Sequence, residues 1–251
     1  MSIFISFEGG EGSGKTTQSK ILEKKLRAVG KNALLVRDPG TTPLGLYLRD
    51  WLKRERKKDA TITKLTELFL FEATRTEMFN KIIKPALNQR GSIVIADRFI
   101  DSTTAYQGFG RRLDLEFIEM ANQMATEQTK PDITFLLDCP PNKGLIRVKE
   151  SQMSLDDKSS NNHELVRIDK QGSSRFEHEP KSFHERVRSG YLKLAEQEPD
   201  RLFVINAENS IEEIEETIWV RVQCLVKKSE PESLDQNIDL LSGLESKNLT
   251  N

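Results

Sequence analysis

Gly9-Gly10-Glu11-Gly12-Ser13-Gly14-Lys15-Thr16 matches the phosphate-binding pattern G-x-x-x-x-G-K-[ST] at every fixed position, and Thr17 follows it. Glycines keep such a loop bare, so successive backbone N–H groups converge on phosphate oxygens and the positive end of the next helix adds to their pull. Lys15 supplies a mobile positive charge for the outer phosphates, and the Thr16 hydroxyl suits a magnesium ion. The pattern is short, and its flanks decide between a nucleotide site and a bare turn. Ile3, Phe4, Ile5 and Phe7 form an apolar run that predicts a buried strand before the loop, while Ile21, Leu22, Leu26 and Val29 fall near helical spacing behind it. Strand, glycine loop and helix in that order are the context the motif requires.

Nothing in the 251 residues resembles a linker between two cores, so one domain is expected over residues 1–228, followed by a polar, disordered tail at 229–251. Hydrophobic residues at 36% and charged residues at 31% fit a soluble globular protein. A net charge of -1 argues against broad nucleic-acid binding. No apolar run approaches the ~20 residues of a membrane span, and no apolar signal region precedes Glu8, which predicts a cytoplasmic protein without membrane contact. Cys139 and Cys224 are too few for a disulfide framework or metal cluster. His163, His178 and His184 lie in polar surroundings and are expected to be solvated.

Outward from the loop, residues 33–36 predict a second strand, and Arg37-Asp38-Pro39-Gly40 a loop at its carboxyl end. Ligands of open α/β sheets gather beyond such ends, although the prolines and glycine also explain the segment as turn chemistry. A short helix carrying Arg49 comes next. Residues 63–87 read as a long helix with Leu65, Leu68, Phe69, Phe79, Ile82 and Ile83 on its core side and Pro85 kinking or ending it. Phe71 and Arg75 share one face, as a base-stacking pair or a packing pair. Residues 92–96 predict a strand ending in Asp97-Arg98-Phe99, where an aspartate can hold magnesium or its waters and an arginine can grip phosphate. Residues 101–110, with Ser102, Thr103, Tyr106 and Gln107, offer groups for a base or sugar, and Asp114 caps a further helix. A fourth strand at 133–137 ends in Asp138, a lesser magnesium candidate. Residues 150–179 read as a mobile loop, either a solvated insertion or a lid that brings Arg167 or Arg175 over phosphates. A helix, a fifth strand at 202–205, and a last helix opened by the capping box Ser210-x-x-Glu213 complete the chain.

These elements predict an α/β fold of the P-loop NTPase type, a five-stranded parallel sheet with helices on both faces. The motifs together resemble the thymidylate kinases, which have the nucleoside monophosphate kinase architecture. The resemblance rests on residues 7–17, Arg37-Asp38-Pro39-Gly40, Phe71 with Arg75, Asp97-Arg98-Phe99, Ala105-Tyr106-Gln107-Gly108, and Phe183-His184-Glu185-Arg186-Val187-Arg188. It implies ATP- and Mg2+-dependent phosphorylation of dTMP to dTDP by a homodimer. Carried over, it implies that Gly9 to Thr17 hold ATP, that Thr16 and Asp97 meet magnesium, and that Glu11 acts near the acceptor. Arg49 and Arg98 would grip the dTMP phosphate, while Phe71 stacks on thymine, Arg75 reaches its O4 and Thr103 stands at N3. Asp38 and Gln107 would lie at the same pocket, and Tyr106 would disfavour a 2'-hydroxyl. Gly12 stands where some members have arginine, which implies the bacterial arrangement with the catalytic arginine in the lid. Arg175 is then the leading candidate and Arg167 the substitute. The chain departs from the family at Asp38 (usually glutamate), Thr41 (usually glycine) and Ser174 (usually aspartate), and its lid is longer. Two other readings are a P-loop kinase for a different nucleotide or nucleoside, and a nucleotide-dependent switch. No Asn-Lys-x-Asp sequence supports the switch.

Overall fold

A computed structural model of the chain describes residues 1–53, 62–156 and 175–229. Five parallel strands stand in the order β2-β3-β1-β4-β5: β1 (Ile3–Glu8), β2 (Asn32–Arg37), β3 (Ser92–Asp97), β4 (Ile133–Asp138) and β5 (Leu202–Asn206). From β1 the chain builds outward to β2, returns through β3, then crosses to β4 on the other side, so β1 lies at the reversal of strand order. Crevices for ligands open at such a reversal, beyond the carboxyl ends of the strands. Register puts Phe7 and Arg37 beside Asp97, one on each flank, which gathers the ends of three strands at that crevice.

Alternation within β1 splits the core. Ile3, Ile5 and Phe7 face α1 (Lys15–Ala28) and α9 (Ile211–Ser229), packing with Leu22, Leu26 and Ile218. Phe4 faces the other way, with Val36, Met78, Phe79, Ile83 and Val94. The remaining helices are α2 (Pro43–Lys53), α3 (Lys64–Met78), α4 (Lys84–Leu87), α5 (Ile100–Thr103), α6 (Leu115–Ala125), α7 (Pro141–Asp156) and α8 (Lys181–Gln197). A third cluster joins Tyr106, Phe176, Phe183 and Val187 under the cleft.

Local chemistry explains the joints. Pro85 does not end the helix that contains it. A π segment, Phe79–Ile83, joins α3 to α4, and the Lys84 N–H reaches the Phe79 carbonyl, a widened turn that accommodates a residue without its own N–H. A second π segment, Thr104–Gly110, continues α5 through the residues expected to meet base or sugar. Asp114 caps α6 by accepting from the Phe117 N–H at 2.8 Å, and Ser210 and Glu213 form the reciprocal capping box.

Some expectations fail. Leu65 and Phe69 are 44% and 50% exposed, because the core stripe of α3 runs through Leu68 and Met78. His184 is buried on the α8 face that packs with Phe183, where burial lowers its affinity for a proton. Residues 150–156, expected in the loop, are helical, and Phe176 is buried. Arg167, His163, the middle of the expected lid and the tail beyond Ser229 lie outside the described residues. No described helix is long and apolar enough to cross a membrane.

Candidate active site

The carboxyl edge of the sheet opens into a cleft of about 1100 Å³, lined by the glycine loop, the ends of β2 and β3, and faces of α2, α3, α7 and α9. β1 delivers Glu8, after which the loop curls back to α1. Gly14, at φ 93°, gives α1 no side-chain cap, which leaves the amides of its first turn to an incoming anion. Lys15 is buried, and its Nζ donates to the Gly10 carbonyl at 2.6 Å and to Ser13 Oγ at 3.1 Å. Burial, with Arg98 adding to it, pushes the ammonium down to about 7. A bound phosphate would supply the negative charge that reverses this. Gly12, at φ 65°, meets Gly144 in the first turn of α7 backbone to backbone, so a Cβ on either residue would collide with the other segment.

Asp97 Oδ2 accepts from Thr16 Oγ1 at 2.6 Å and lies 3.5 Å from Arg37 Nε. One hydroxyl and one carboxylate converging beside a phosphate loop fit magnesium, which takes few protein oxygens and keeps waters and substrate phosphates. Asp138 does not join them: both of its oxygens accept from Arg188, at 2.7 and 2.8 Å.

Arg98 leaves β3 at φ 75°, a left-handed conformation unusual for a residue with a side chain. Its Nη1 donates to the Gly9 carbonyl (3.1 Å), Ser102 Oγ (3.2 Å) and Tyr191 OH (3.4 Å), and its Nη2 to Tyr106 OH (3.2 Å) and Glu11 Oε1 (3.3 Å). Tyr106 also donates to Glu11 at 2.8 Å, and burial pushes its phenol up, keeping the proton there. Glu11, Arg98 and Tyr106 therefore form one cluster. Beneath it lies Glu8, fully buried and raised to about 7 by burial and by repulsion from Asp101.

On the α3 side, Arg75 lines the cleft but is tightly held. Nε meets Asp38 Oδ2 at 2.7 Å, Nη1 meets Glu72 Oε1 at 2.7 Å and Asn122 Oδ1 at 2.9 Å, and Nη2 meets the Phe99 carbonyl at 3.4 Å. One N–H on Nη2 is left for a ligand. Burial raises the pKa of both Asp38 and Glu72 while Arg75 opposes it, and Asp38 Oδ1 has no hydrogen-bond partner. Phe71 packs against Phe176 in the lining of the cleft, ring centres 6.1 Å apart, with Thr103 beside Glu72. Arg49 Nη1 donates to the Pro39 carbonyl at 2.8 Å. Gln107 is turned toward Glu67, donating to it at 2.8 Å.

Arg175 is placed differently from expectation. Its Nε donates to the Leu52 carbonyl at 2.5 Å and its Nη2 to Glu67 Oε2 at 2.7 Å, so it ties the segment before α8 to α2 and α3. It is not among the residues lining the cleft, whereas Arg147 is, with Nη1 on the Ala207 carbonyl at 2.8 Å. Several cleft residues were not singled out from the sequence. Glu8, Glu67, Glu72 and Tyr191 hold the site residues from below, and Gln18, Asn209 and Ile211 line the end away from Phe71. The position of Asn209 and Ile211 just past β5 was the available signal; nothing in the spacing marks the buried acids.

Comparison with known proteins identifies the family. A family model described as thymidylate kinase matches residues 7–218. A protein named thymidylate kinase from Dehalococcoides mccartyi (strain ATCC BAA-2266 / KCTC 15142 / 195) is 40% identical, over 90% of this chain and 99% of its own. Another of that name, from Syntrophotalea carbinolica, is 39% identical over 88% and 94%. The crystal structure of thymidylate kinase from Ehrlichia chaffeensis superposes with a TM-score of 0.66 at 33% identity, covering 88% of this chain and 98% of that one.

Proposed function

The chain belongs to the thymidylate kinase family, and from that premise we propose how its own residues carry out the phosphorylation of dTMP to dTDP by ATP, a step that supplies dTTP for DNA synthesis. The single observation that carries the assignment is the cluster of Arg98, Glu11 and Tyr106 against the glycine loop, with Lys15 beside it.

Gly9 to Thr17 cradle the phosphates of ATP through their amides, and Lys15, recharged by them, bridges the outer ones. Thr16 and Asp97 would hold magnesium, which would supply positive charge against the phosphate oxygens. Arg98 and Arg49 grip the dTMP phosphate and orient its oxygen toward the γ-phosphorus. Glu11 fixes Arg98 from the loop. Phosphoryl transfer needs positioning and charge neutralisation more than covalent help, which this arrangement supplies. Phe71 stacks on thymine, the remaining Arg75 N–H meets O4, Thr103 stands at N3, and Asp38 holds Arg75 for that contact. Tyr106 closes the sugar side, and Gln107, restrained by Glu67, shapes the wall. Gly12 cannot carry an arginine, so the further positive charge comes from the lid. Because Arg175 is bound to Glu67 and Leu52, it serves as anchor, and Arg167 takes the lid role.

A homodimer is part of this reading. Leu65, Phe69, Leu115, Phe117, Met120 and Met124 form an exposed apolar face on α3 and α6, with Phe69 and Phe117 in edge contact at 6.2 Å, which a second copy would cover. Met120→Asp should yield monomers in sedimentation; an unchanged dimer would place the interface elsewhere. The cytoplasm, where ATP and dTMP meet, is the expected compartment.

The deciding experiment is ADP release with ATP and magnesium across dTMP, dUMP, UMP, CMP, GMP and AMP, with a no-acceptor control. A strong response to dTMP and a weaker one to dUMP is expected. If another monophosphate is preferred, the roles of Phe71, Arg75 and Thr103 fall.

A further inference from the structure

Glu8 is a carboxylate with no exposed surface, at the carboxyl end of β1 and one residue short of the phosphate loop. Its Oε1 accepts from the backbone N–H of Phe99 at 2.7 Å and of Ser102 at 3.3 Å. Its Oε2 accepts from Ser102 Oγ at 2.6 Å and from Tyr191 OH at 2.8 Å. Those hydroxyls, 2.9 Å apart, are the ones to which Arg98 Nη1 donates. Guanidinium, two hydroxyls and carboxylate thus form a relay, with Arg98 at one end and Glu8 at the other. The same carboxylate fixes the amide of Phe99, the residue after Arg98, and that of Ser102, four residues on, and the Arg98 backbone between Asp97 and Phe99 sits at φ 75°. A strained conformation persists only where its surroundings over-determine it, and here the bonds to Phe99 and Ser102 do so.

A buried ion pair made directly would tie Arg98 down. Routing the attraction through hydroxyls aims the guanidinium while leaving its Nη2 edge to Glu11, Tyr106 and an incoming anion. We propose that Glu8 is a positioning residue for Arg98, holding both its backbone and its guanidinium in the geometry that receives the acceptor phosphate. This rests on the reading of Arg98 as a grip for the phosphate of dTMP. Tyr191 and Ser102 act in it as the intermediaries.

The test compares dTMP with thymidine, which lacks only the phosphate, by calorimetric titration of the full-length protein. Titrated at pH 8, where the Glu8 carboxyl is ionised, Glu8→Gln keeps the shape and the acceptor for Phe99 while removing the charge. It should weaken dTMP about tenfold, as for loss of a charge-assisted bond, and leave thymidine within about twofold. Tyr191→Phe, which removes one hydroxyl of the relay, should move dTMP the same way by a smaller factor, and carries the test should Glu8→Gln fail to fold. Equal weakening of both ligands, or of neither, in the folded variants would overturn the proposal. Arg98→Ala separates the two levels. If it weakens dTMP strongly and Glu8→Gln does not, the positioning role falls alone; if it leaves dTMP binding as it was, the grip itself falls and the proposal with it.

Discussion

The two ends of the cleft both present arginines, and they treat them differently. At the base end, Arg75 faces two carboxylates at 2.7 Å, and Glu67 gathers Arg111 and Arg175. At the phosphate end, Arg98 meets a carboxylate only at 3.3 Å, with its other hydrogen bonds going to neutral oxygens, and Lys15 contacts a carbonyl and a hydroxyl. Charge compensated inside the protein builds shape. Charge held mainly by neutral groups waits for a partner of opposite sign from outside, which is what a phosphate brings. On the proposed reading, the same residue type meets a base at one end and an anion at the other.

The sharpest way to break this contrast is to remove the two kinds of cation and measure both turnover and melting. Lys15→Ala and Arg98→Ala should each lower kcat/KM by roughly 10²- to 10³-fold with melting close to that of the parent. Arg75→Ala should do the reverse in emphasis, destabilising by about 3–5 kcal/mol because Asp38 and Glu72 would stay buried without their counter-ion. If denaturant unfolding gave Arg98→Ala the larger loss of stability, the division between grip and framework would be wrong.

A third measurement sharpens it through pH. Glu8 binds its proton more tightly folded (about 7) than at its ordinary value of 4.5. Between those two pH values the native state holds more protons than the unfolded chain, so this group makes stability fall as pH rises through that window. Glu8→Gln should remove up to about 3 kcal/mol of that decline in the difference curve against the parent, measured by unfolding at pH 5 and pH 8; an unchanged slope would mean that Glu8 ionises freely. The smallest effect is expected at the lid root. Arg175→Ala leaves Glu67 with Arg111 and Gln107, so it should cost about 1 kcal/mol and change turnover less than Arg98→Ala does. A collapse of kcat with dTMP binding intact would return to Arg175 the catalytic role that its position now argues against.

The sheet and the loop were legible because their signals are local. Strands covered on both faces read as unbroken apolar runs, and the glycine pattern, Asp97-Arg98 and both helix caps lie within a few residues of what they act on. What escaped the sequence depends on partners far along the chain. Asp138 reads like Asp97 until Arg188, 50 residues on, takes both of its oxygens. Glu67 and Glu72 look like solvated helix charges until arginines and an amide converge on them. His184 sits among polar neighbours in sequence yet is packed beneath the lid root, and Leu65 and Phe69 have core chemistry on a face left outside. Apolar periodicity says that a face is covered, not by which body.

Gly12 and Gly144 link positions 132 residues apart through a contact that tolerates no side chain on either. Their consequence is evolutionary. An arginine arising at position 12 would not add a charge to the loop; it would wedge the loop away from α7, and a second change that rebuilds the start of α7 would have to precede it. On the proposed reading, in which the final positive charge comes from the lid, moving that charge to the loop would take two changes rather than one, and the barrier between the two arrangements is epistasis rather than chemistry.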